Sequence, residues 1–86
     1  MTRTAFLLAR FAEEENRIRA FMDSPTFPRG TVVRRHWAIQ LADCEAKRQI
    51  VRQVSIIEWG GYAVRDFILD ALSKPYANHP DFDPAW

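Results

Sequence analysis

Eighty-six residues with one cysteine and a net charge of +1 exclude several classes of protein at once. There is room for one compact domain, a lone Cys44 forms no internal disulfide, and no global field draws the chain to nucleic acid or to a membrane. A hydrophobic content of 48% and an aromatic content of 13% argue against disorder.

The first segment, residues 4–22, has helical period. Leu7, Leu8, Phe11, Ile18, Phe21 and Met22 share one side. Thr4 reads as its N-cap, and Pro25 follows its end. Glu14 and Glu15 flank the apolar stripe, where a lone charge would be costly. Two prolines and a glycine then mark residues 23–30 as a loop.

The second predicted helix, residues 32–58, is the longest. Val33, Trp37, Leu41, Cys44, Val51 and Ser55 line one face, and Arg48 falls within that face. A second apolar row, Val32, Ile39, Ala46, Ile50 and Ile57, lies more than a third of a turn away. An arc that wide predicts contact on two sides, and in so small a chain one neighbour belongs to a partner or a second copy. Trp37, Ile39, Ile50, Ile57 and Trp59 are the candidate interface residues, because large apolar and aromatic side chains dominate binding energy. Clustered β-branched residues at 54–57 weaken the helix near its end.

Gly60-Gly61 is a second break. Residues 62–73 then read as a short helix with Val64, Phe67, Ile68, Ala71 and Leu72 on one face. Residues 74–86 carry Pro75, Pro80 and Pro84, which forbid a continuous helix. Tyr76, His79, Phe82 and Trp86 predict an ordered, extended segment that clasps the bundle; the alternative is a short recognition motif. The expected fold is therefore all-α, a small three-helix bundle with an ordered Pro/aromatic C-terminal extension, forming one domain over residues 1–86.

Residues 41–51, LADCEAKRQIV, and residues 72–82, LSKPYANHPDF, with Trp86 resemble the "EAKR" helix and the closing "PYADHPD…W" segment of a family of small actinobacterial and actinophage proteins. Residues 6–15, FLLARFAEEE, are similar to that family's first helix. The tail block is the most specific of the three. The family is a domain of unknown function, so the resemblance implies no activity. Its His-Asp-Pro turn before the second helix is replaced here by Arg34-Arg35-His36-Trp37-Ala38.

The chemistry-bearing residues are sparse. His36, Asp43, Cys44, Glu45 and His79 lack the paired short spacing of a structural zinc site. Cys44 and His36, eight residues apart, lie about 80° apart on a helix and do not face one another. Three glycines give no phosphate-cradling loop. Neither a catalytic residue, a metal nor a cofactor is expected, and Cys44, in phase with Trp37, Leu41 and Val51, reads as an inert buried thiol. Arg34, Arg35 and Trp37, with the basic face of the second helix, define the alternative, a nucleic-acid-binding accessory protein, but acidic residues interleave that face. Arg48 is expected to pair with Glu14 or Glu15 across two antiparallel helices and to fix their register. The reading is a small non-enzymatic cytoplasmic interaction or regulatory protein acting by protein–protein contact, with a protein partner or homodimer and no membrane contact; a phage or prophage source is what the resemblance implies.

Overall fold

The computed structural model describes residues 1–56 and 62–86. Three helices, α1 (Arg3–Met22), α2 (Thr31–Ser55) and α3 (Tyr62–Ser73), are followed by a 3₁₀ turn at Lys74–Tyr76. The protein is an all-α three-helix bundle with an aromatic cluster near its C-terminus.

The cap of α1 is Thr2, whose hydroxyl accepts from Ala5 N at 3.1 Å. Thr4, the expected cap, lies inside the helix with its hydroxyl 3.2 Å from that of Ser55. At the far end Asp23 N donates to Arg19 O at 2.9 Å, and the loop folds under Phe27, which is buried. Contacts run from Thr4 with Ser55, through Glu14 with Cys44, to Phe21 with Trp37. That order makes α1 and α2 an antiparallel hairpin.

The main core lies at one end of the hairpin. Phe6, Leu7 and Phe11 from α1 meet Val51 and Val54 from α2 and Leu69 from α3. Two expected faces are corrected here. Phe6, omitted from the expected face of α1, is fully buried, whereas Phe21 is exposed at the loop end. The tail covers the Phe6 side and so widens the buried arc of α1. On α3, Leu69 and Ser73 turn inward, while Val64 and Phe67 face out, Phe67 at 73% exposure. α3 is apolar around most of its circumference, so periodicity alone does not choose its face. Small Ser73 permits a close approach and satisfies its own hydroxyl on Asp70 O at 2.9 Å.

The tail is ordered but not extended. Ala77 N, His79 N, Phe82 N and Trp86 N each donate to the carbonyl three residues back, giving successive tight turns. α2 ends at Ser55 with Ile56 as its cap. The expected continuation to residue 58 and the Gly60-Gly61 break lie outside the described residues. Among the described residues, no helix is long and apolar enough to cross a membrane.

Candidate functional site

Polar residues converge where α1 crosses the middle of α2. Arg48 pairs with Glu15, which is only 5% exposed, and also reaches Glu45 at 3.5 Å. Arg19 adds a second cation to Glu15 at 3.7 Å. Glu14 takes different partners: the Tyr76 hydroxyl donates to it at 3.0 Å, and the Cys44 thiol at 3.6 Å. One carboxylate therefore ties α1 to α2, and its neighbour ties the tail to both.

This setting determines the protonation of the seam. Burial, then the charge of Glu14, push the Cys44 thiol above its ordinary value of 9.0. The same two causes raise the Tyr76 phenol. Both groups keep their protons at neutral pH and act as hydrogen-bond donors, the opposite of an activated nucleophile. Neither histidine serves Cys44. His36 stacks edge-on against Trp37, and His79 accepts from Arg10 Nη1 at 2.8 Å.

A cleft of about 370 Å³ opens beside this seam, lined by Glu14, Arg17, Ile18, Phe21, Trp37, Gln40 and Cys44. Trp37, one of the candidate interface residues, packs edge-on against Phe21 with ring centroids 5.3 Å apart. Arg34 sits over the Phe27 ring at 5.4 Å, and Arg35 is exposed. Ile39 and Ile50 face outward on the opposite side of α2, at 58% and 43% exposure. Ile57 and Trp59 lie outside the described residues.

The tail residues surround Phe6, with ring centroids at 6.2 Å for Tyr76, 5.5 Å for His79, 5.9 Å for Phe82 and 5.2 Å for Trp86. Beneath them lies Arg10, 6% exposed, which bonds Glu13 at 2.8 Å and rests on the Phe6 ring. Arg10 was not a candidate from sequence. Its closeness to Phe6 in the helical register is the only signal that could have marked it.

Among the described residues, no three His, Cys, Asp or Glu side chains come close enough to hold a metal ion. The whole chain, residues 1–86, matches one known family. The chain belongs to the family of unknown function DUF6221. The family carries no activity to test against the cleft or the seam. No curated protein and no solved structure matches the chain.

Proposed function

We propose that this chain is a non-enzymatic interaction protein of the cytoplasm that binds another protein through the outer face of α2. The observation that carries the reading is an aligned row of exposed apolar residues, flanked by Asp43. Val32, at 82% exposure, Ile39, Ala46 and Ile50 all face outward along one line. They span about 27 Å of helix. Single exposed apolar residues are ordinary on a protein surface, but an aligned row of this length supports the reading of a contact face. The protonated, hydrogen-bonded state of Cys44 and Tyr76 supports a structural role for the central seam. An origin in an actinobacterium or its phage fits the tail segment, whose likeness to such proteins is the most specific in the chain.

The nucleic-acid alternative has weaker support. Trp37 packs edge-on against Phe21 and Arg34 lies over Phe27, so each already has an aromatic partner within the chain. Lys47 and Arg48 are held by Asp43 and Glu15.

The test is photo-crosslinking in the native host cell. A photoreactive residue at position 39 or 50 should give discrete protein adducts, and one at exposed position 13 should not. Equal, diffuse labelling at all three positions would remove the interaction reading.

A further inference from the structure

We infer that the partner covering this face is a second copy of the chain, docked with its α2 antiparallel to the first about a two-fold axis between residues 44 and 45. The inference rests on the interaction reading above and names its occupant. Three observations support it.

The first is area. The molecule measures 48 × 26 × 15 Å, with a radius of gyration of 15.4 Å. A compact chain of this length has a radius of about 12 Å. The molecule exposes 6191 Å², whereas a compact 10.0 kDa protein exposes about 5,200 Å². The excess of roughly 1,000 Å² is of the same order as the roughly 800 Å² that each partner buries in a standard interface. The chain is flatter than a finished core of its size, and its apolar row lies on the side of α2 away from α1.

The second is register. Ile39 and Ile50 are eleven residues apart, about three turns, and so share a face. A two-fold axis midway between them sets each isoleucine against the other residue of the second copy. Ala42 and Ala46 flank the axis and let the two helices approach closely.

The third is charge. Asp43 and Lys47 lie one turn apart on one edge of the row and are paired at 2.8 Å. They are centred next to the axis, so the two-fold operation brings Lys47 of the second copy beside Asp43 and the reverse. The edge is self-complementary, as an isologous contact requires.

The test begins with sedimentation of the purified chain across the micromolar range, where twice the chain mass is expected, falling on dilution. Ile50→Glu enters the interface twice and should weaken dimerisation about 100-fold. Phe67→Glu, on the outer side of α3, should leave the mass unchanged. Circular dichroism checks that both variants are folded. Register is read in a Cys44→Ser background. Mixed Ile39→Cys and Ile50→Cys chains should form a disulfide with one another, and neither should with itself. A concentration-independent monomer overturns the second copy, and so does dissociation by Phe67→Glu with Ile50→Glu silent. Self-crosslinking at 39 or 50 overturns the antiparallel register. If the chain is monomeric yet gives adducts with a different protein at 39 and 50, the interaction reading stands and only this occupant is lost.

Discussion

At the scale of single residues, adjacent carboxylates have separate duties. Glu15 is buried and holds Arg48 across the hairpin, which fixes which turn of α1 lies against which turn of α2. Arg48→Met and Glu15→Gln should therefore couple: the double variant should be more stable than the two single losses added together, as read by denaturant unfolding. Strict additivity would show that the pair holds nothing. Glu14 instead accepts from Tyr76 and Cys44, both raised by burial and then by its charge. The sign of the pH dependence follows from those shifts. In the unfolded chain the thiol ionises near its ordinary 9.0 and the phenol near 10.0, while the folded chain holds both protonated to higher pH. The stabilisation is complete below those values and is lost as pH rises past them. Stability should fall on the alkaline side of about pH 9. Tyr76→Phe, which keeps the ring but removes the proton, should flatten that decline; an unchanged alkaline limb would contradict the assigned bond. Arg48 was legible in the sequence because a charge in phase with Cys44 and Val51 must find a partner. Arg10 was not, because what buries it lies sixty-nine residues further on, in the turn that carries His79.

At the scale of elements, the tail acts as a fourth wall of the bundle. Its turns bring Tyr76, Phe82 and Trp86 around Phe6, and a ring so enclosed needs all of its neighbours. Trp86 is half-buried, so Trp86→Ala should cost about 2 kcal/mol, less than the roughly 3–5 kcal/mol of a fully buried aromatic truncation. In a domain of this size that is about 10 °C of melting temperature, measurable by calorimetry. A melt within about 1 °C of the parent would make the tail a free recognition segment after all. The existence and order of the three helices were readable from period and punctuation, and α3 coincides with its expected bounds at 62–73. Its face was only partly readable: Ile68 and Leu72 pack against the core as expected, whereas Val64 and Phe67 are exposed. Val64, Phe67 and Ala71 alternate with Ile68, Leu69 and Leu72 so closely that the helix has two apolar sides. The choice between them is made by the fit of Leu69 and Ser73 against the core, a tertiary fact with no local trace. The extended form expected of the tail failed for a related reason. Proline excludes a long helix but is compatible with short 3₁₀ turns, and the aromatic spacing suits those turns once Phe6 is there to be enclosed.

At the scale of the whole molecule, the packing is uneven along the hairpin. The largest fully buried side chains, Phe6, Phe11, Leu7, Val51 and Ser73, all belong to the end that carries α3 and the tail. The other end rests on Phe21, Phe27 and Trp37; Phe21 makes T-shaped contacts with the other two rings and is itself exposed beside the open cleft. Hydrophobic stabilisation scales with apolar area removed from water, so the two ends cannot be equally stable. The Arg48–Glu15 pair stands between them, and it limits how far an opening at the loop end travels. Native-state hydrogen exchange should resolve this asymmetry. Amides of residues 6–11 and 48–54 should exchange only through global unfolding, with the full denaturant dependence of the melt. Amides of residues 18–22 and 31–38 should exchange through a smaller opening with a weak denaturant dependence. Arg48→Met should extend that smaller opening toward residue 44 and leave the protected end unchanged, since the pair is the last strong tie before the main core. A single uniform exchange free energy across both helices would refute the asymmetry and make the hairpin one cooperative unit.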